Sequence, residues 1–321
     1  MSGMRKNTMS IMKSETGLMR GIWGLVQDSV NGWINDRAPR KGAALAFYTV
    51  FSLAPVLIIT IAVAGFFLGE EAARGEIVAQ IQDLMGRAAA EAIESVISNS
   101  RKEASGIVAT ILGVATLLIG ATTVLAELKD ALDQLWQVPP EKTSGFWYFV
   151  KTRLLSVGLI LAIGFLLLVS LVINAVVTGL ARFAGYGVPD TLFRTINFVL
   201  SFGIVTALFS TIYKVMPSVS IAWRDVIVGA LITAGLFTIA KFLLGFYLGS
   251  SAVTSTYGAA GSYILILFWV YYSAQIFFLG AEFTKFYAYR YGSRAHRAEA
   301  EKVLKASQPP SVFRAADHRR D

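Results

Sequence analysis

The sequence predicts an all-α, polytopic membrane protein with six transmembrane helices and both termini in the cytoplasm. Three observations carry this expectation. Charged residues make up 16% of the 321-residue chain and apolar ones 55%, with a mean hydropathy of +0.58; a soluble domain holds about 25% and roughly 45–50%. Apolar runs long enough to cross the bilayer occur at Ala43 to Leu68, Gly106 to Ala126, Leu154 to Ala181, Phe193 to Tyr213, Val226 to Leu248 and Ala259 to Ala281. A crossing needs about 20 residues, at about 1.5 Å each, to traverse roughly 30 Å of hydrocarbon. Finally, with the amino terminus inside, 22 of the 29 Lys and Arg residues fall in cytoplasmic segments, 6 outside, counting Arg194 at the outer end of the fourth span, and only Lys241 lies deep within a span. Basic segments resist translocation, so count and charge agree.

Taken in order, the opening "MSGMRKNTMSIMKSETG" is too polar to be a signal peptide, and the first span is expected to be retained. Residues 16–34 place Leu18, Ile22, Trp23, Val26, Val30, Trp33 and Ile34 at helical spacing opposite Arg20, Gln27, Asp28 and Asn31. The expectation is an amphipathic helix in the cytoplasmic headgroup layer, with packing on another protein segment as the alternative. Arg37, Arg40 and Lys41 then hold the chain inside while the first span crosses, with a helix kink expected at Pro55 and Ser52 placed to satisfy a freed carbonyl.

Residues 69–105 form the long outer segment, in which Ile77, Ile81 and Leu84, then Ala88, Ala92, Val96 and Ile97, repeat every three or four residues. Two amphipathic helices broken near Gly86 follow from this, either capping an outer cavity or standing as a solvated hairpin. On the sixth span Tyr271, Gln275, Leu279 and Glu282 share one face, which suggests that it turns towards protein or a cavity rather than lipid. The organisation is therefore a cytoplasmic segment over residues 1–42, a six-helix membrane domain over 43–283, and a basic cytoplasmic tail, partly disordered, over 284–321.

Several function classes are disfavoured. A net charge of +8 in a soluble protein would suggest nucleic acid, but here the cations fix topology and face anionic lipid, so no nucleic-acid partner is expected. There is no cysteine, and the two histidines, His296 and His318, lie in the tail. Neither G-x-S-x-G nor a P-loop occurs, and no H-x-H-x-D run is available to hold catalytic metal. No catalytic residue, metal or cofactor is implied, and the chain is not expected to be an enzyme.

The stretches "ALAFYTVFSLAP", "ALDQLWQVP", "IYKVMPSVSIAWRDVIVGAL" and "STYGAAGSYILILFWVYYSAQIFFLGAEFTK", in that order and spacing, resemble the YihY/BrkB family of bacterial inner-membrane proteins, formerly mislabelled ribonuclease BN. The resemblance implies six membrane helices with both ends cytoplasmic, and links to envelope integrity and lipid handling, but no established reaction or set of functional residues.

Polar groups at membrane depth are costly and default to functional candidates. Lys241 is the clearest: it lies roughly 22 Å into the fifth span, and no Asp or Glu sits well inside any span. One reading lets it snorkel to the outer headgroups with Asn174 and Tyr257 as helpers. The other has it neutralise an anionic amphiphile entering between helices, with Arg182 and Arg194 adding positive potential at the rim; a permanent interhelical contact is the third. Glu127, Lys129, Asp130, Arg153, Arg224 and Glu282 form an expected cytoplasmic polar layer, either a gate or structural ion pairs, with Glu282 meeting Lys285 or Arg224. The leading functional expectation is a transporter or flippase-like handler of an anionic envelope lipid. The alternative is a non-transporting scaffold for envelope integrity, and a membrane-bound hydrolase is the least expected of the three. Membrane lipids are the expected partners, and the sequence does not fix the oligomeric state.

Overall fold

The structure, a computed structural model, describes residues 21–85, 87–103, 123–139, 190–250 and 259–295. All regular structure in these segments is helical. In chain order the helices are α1 (residues 21–35), α2 (Ala38–Leu68), α3 (Glu70–Met85), α4 (Arg87–Glu103), α5 (residues 123–135), α6 (Asp190–Val215), α7 (Trp223–Ser250) and α8 (Ala259–Arg290).

Among the described residues three helical stretches have the length and apolarity to cross a membrane: Thr195–Val215 in α6, Trp223–Leu244 in α7 and Tyr263–Arg290 in α8. They coincide with the fourth, fifth and sixth expected spans. The first expected span lies within the 31 residues of α2. Nearly all of the second, and all of the third, lies outside the described residues.

α8, 32 residues and about 48 Å long, is the axis of the fold and packs on α2, α4 and α7, while α6 packs on α7. Its second half lies in the larger core. There Phe277, Phe278 and Ala281 meet Leu132 and Leu135 of α5, Tyr213 of α6 and Ala230 of α7. Its first half, through Leu265 and Ile266, joins Leu57 and Ile61 of α2 and Ala92, Ile93 and Ile97 of α4 in a second core.

The turn between α1 and α2 is sharp because Arg37 adopts a left-handed conformation, φ 54° and ψ 39°. Pro39 follows within the first helical turn, where its missing N–H would lack a partner in any case. α2 then continues through Pro55 without a break. Ser52 Oγ donates to the Thr49 carbonyl at 3.1 Å, not to the Phe51 carbonyl that Pro55 frees, so Ser52 does not have the role expected of it.

Two helices form as the periodicity predicts, α3 ending at Met85 and α4 beginning at Arg87, but they are not a solvated hairpin. Ile93 and Ile97 of α4 are buried against α2 and α8, and Arg74 of α3 ties the pair together through Glu94 (3.2 Å) and Ser98 (3.0 Å). The amphipathic helix packs on another segment, the alternative expected of it, without burying its large apolar residues. α1 buries Leu25, Ser29 and Gly32, a stripe of mostly small residues that permits close approach to α8, and leaves Ile22, Trp23, Val26, Val30 and Ile34 exposed. It therefore packs on protein with one face and offers an apolar face outward.

Candidate functional site

The junction of α1, α2 and α8 collects the charges. Glu282 on α8 is 0% exposed. A Cβ at Gly32 of α1 would lie 2.7 Å from its Oε2, so only glycine allows the α1 backbone this close to the carboxyl. Lys285, one turn on, places Nζ 2.8 Å from Glu282 Oε2 and donates to Asp36 Oδ2 at 3.0 Å. The contact with Glu282 is an ion pair by distance without hydrogen-bond geometry, and both oxygens of Glu282 lack a hydrogen-bond partner. Lys41 of α2 donates to the Asp36 main-chain carbonyl at 2.6 Å.

Burial alone would raise the Asp36 carboxyl. Neighbouring Glu282 and Lys285, with the Lys41 ammonium behind them, outweigh it and hold Asp36 below the usual aspartate range. Burial pushes Lys41 down from its ordinary value, against attraction by Asp36, Glu282 and Glu127. Two turns back along α8, the Gln275 amide rests against Gly42 of α2 with its nitrogen and oxygen buried and unbonded. The polar face of α8 is thus turned towards α1 and α2.

A second ionic group lies on α5. Lys129 pairs with Asp133 and donates to Ser218 Oγ at 2.6 Å. Asp133 in turn accepts the Ser218 N–H at 2.6 Å and the Ser218 hydroxyl at 2.9 Å. The group fastens α5 to the turn between α6 and α7. At the end of α6, Lys214 donates to the Ile221 carbonyl of that turn and lies over the Trp223 ring.

Beside the first ionic group runs an apolar groove of about 710 Å³ between α1, α7 and α8. Ile22, Val26 and Val30 form one wall, Ile232 and Leu236 the second, and Leu279 and Phe283 the floor, with Tyr287 and Tyr291 also lining it. Ile22, Val26, Val30 and Ile232 are exposed, so the groove opens to the surroundings of the bundle. Arg290, whose contact with Asp28 across α1 is 3.4 Å and partly exposed, stands beside Tyr291.

A family model described as virulence factor BrkB matches residues 29–304. The chain belongs to the BrkB family. Its relatives include the UPF0761 membrane protein of Pseudomonas paraeruginosa, 26% identical over 253 residues, covering 78% of this chain and 59% of that protein. That of Pseudoalteromonas translucida is 24% identical over 278 residues, covering 86% and 90%. The chain thus spans about three fifths of the length of the Pseudomonas relative. No solved structure matches. BrkB membership and the apolar helices together make this an integral bacterial membrane protein.

In this BrkB protein the residues expected to form one inner polar layer are distributed differently. Glu282 meets Lys285 as expected, but Arg224 is exposed and outside that cluster. Lys129 belongs to the Asp133 group, Asp130 is exposed, and Glu127 is half-buried and acts on Lys41. Lys241 is half-buried on α7 and is not without neighbours. At five residues beyond Leu236 it is turned by about 140° from the groove wall. Arg194 is placed on α6 by its backbone, while Arg153, Asn174, Arg182 and Tyr257 lie outside the described residues. Sequence reasoning missed Asp36, Lys41 and Asp133 as members of ionic groups. Asp36 and Lys41 sit in a basic stretch that reads as a topology signal, while the Lys129–Asp133 spacing of four was a usable sign.

Proposed function

We propose that this protein is a multi-pass protein of the bacterial inner membrane, with six crossings and both termini cytoplasmic, that handles an anionic amphiphile such as an envelope lipid in the manner of a transporter or flippase. The observation that carries the reading is the apolar groove, because one of its walls, α7, and its floor, α8, are helices with the length and apolarity of membrane spans. A groove walled in this way and open sideways is filled by a lipid acyl chain, the apolar molecule that surrounds it. Tyr287 and Tyr291 mark its polar end, and Arg290 supplies a cation there for a phosphate.

The test is movement of a headgroup-labelled anionic phospholipid across vesicles reconstituted with the purified protein. Leu236→Trp, which fills the groove, is expected to reduce the rate several-fold while Lys241→Ala leaves it near normal. Loss with Lys241→Ala alone would move the site to the outer half of α7, and a wild-type rate equal to that of empty vesicles would remove the transport reading.

A further inference from the structure

Glu282 is enclosed on all sides, and neither of its oxygens accepts a hydrogen bond. Its one ionic contact is the Lys285 ammonium, 2.8 Å away but without hydrogen-bond geometry and shared with Asp36, and a buried carboxylate compensated so incompletely is costlier than the neutral acid. Among the described residues, α1 meets it with the uncharged Gly32, and the charges near it come from the other elements. The α1–α2 turn brings Asp36, and α2 brings Lys41, whose ammonium is committed to the Asp36 main chain. α5 brings Glu127, which acts on Lys41, and α8 itself brings Lys285.

Two adjacent carboxyls therefore face one ammonium, and such pairs share a proton between them. Lys285 makes its geometrically sound hydrogen bond to Asp36 at 3.0 Å. That arrangement keeps Asp36 ionised and leaves Glu282 to take the proton.

We propose that Glu282 is a proton-binding site whose occupancy sets how firmly α1 is held against α8. The step balances simply: a hydronium ion from the solvent beside Asp36 gives its proton to a Glu282 oxygen and departs as water, so one O–H bond breaks in the hydronium as one forms on Glu282, and the cluster gains one positive charge. The new O–H donates to the Asp36 carboxylate, and Lys285 is left wholly to Asp36. When Glu282 is ionised it competes for Lys285, and the contact that anchors the α1–α2 turn weakens. Because α1 is one wall of the groove, proton binding regulates the lipid site. That consequence rests on the lipid-handling reading, whereas proton binding itself does not.

The experiment is a pH titration by infrared difference spectroscopy of the full chain in phosphatidylglycerol-containing nanodiscs. A protonated-carboxyl C=O band is expected that fades as pH rises and is absent from Glu282→Gln, while Asp130→Asn retains it. An identical titration in wild type and Glu282→Gln overturns the site. Should Glu282→Gln fail to fold, Lys285→Met carries the same test: loss of the ammonium shifts the midpoint of that band to higher pH, and an unmoved midpoint overturns the proposal. Lipid movement measured in parallel separates the two readings, since a titrating Glu282 in a protein that moves no lipid leaves the proton site standing and removes the groove's function.

Discussion

Thr284 of α8 seats its side chain on Gly229 of α7, and Thr233 of α7 seats its own on Gly280 of α8. Each hydroxyl donates to the carbonyl four residues earlier on its own helix, at 2.7 Å, and those carbonyls belong to Gly229 and Gly280 themselves. The two helices thus carry the same glycine-x-x-x-threonine pattern and use it reciprocally. Tyr213 of α6 closes the arrangement, donating to the Phe277 carbonyl at 2.7 Å with its oxygen 3.1 Å from that of Thr233. Between lipid-facing helices there is no hydrophobic driving force, so close approach through small residues has to supply the association.

Filling either glycine should therefore loosen the bundle. Gly229→Leu or Gly280→Leu is expected to cost about 1–3 kcal/mol by overpacking, read as earlier thermal aggregation of detergent-solubilised protein. Gly203→Ala on α6, where an added Cβ meets nothing within 4 Å, should melt like the wild type. Equal behaviour of all three variants would mean that the α7–α8 crossing does not limit stability.

The α3–α4 hairpin is expected to be part of the folded bundle rather than an appendage. Ile97 is 0% exposed between α2 and α8, so Ile97→Ala should destabilise by about 2–4 kcal/mol, whereas Glu91→Ala on the exposed side should be near neutral. Unfolding measured for both variants decides this. For the same reason, removing residues 70–105 would damage the membrane bundle itself, and loss of binding partners in such a deletion would not by itself identify the hairpin as a docking surface.

The absence of cysteine from the chain makes its orientation directly measurable. A single cysteine at Gly75, where a side chain meets open space, is expected to react with a membrane-impermeant maleimide in intact spheroplasts. One at the exposed position Gln27 should react only after permeabilisation. The opposite pattern would invert the proposed topology.

Membrane class, helical content, the apolar helices over the fourth to sixth expected spans and the separation of α3 from α4 were all legible because each depends on local chain properties: run length and apolar periodicity. Glu282–Lys285 was legible for the same reason, being three residues apart on one helix. Asp36 was not. It lies 249 residues from Lys285, in a stretch whose basic residues read only as a topological anchor.

The sequence by itself determined that this chain is a helical membrane protein and which of its segments are apolar enough to cross, because the cost of exposing a polar backbone or a charge to lipid acts residue by residue. Only the tertiary structure decided where α1 lies, that its small residues rather than its large ones meet α8, and that Glu282 is enclosed beside Asp36. Those outcomes depend on how closely two backbones approach at Gly32, a matter of shape between distant segments that no local pattern encodes.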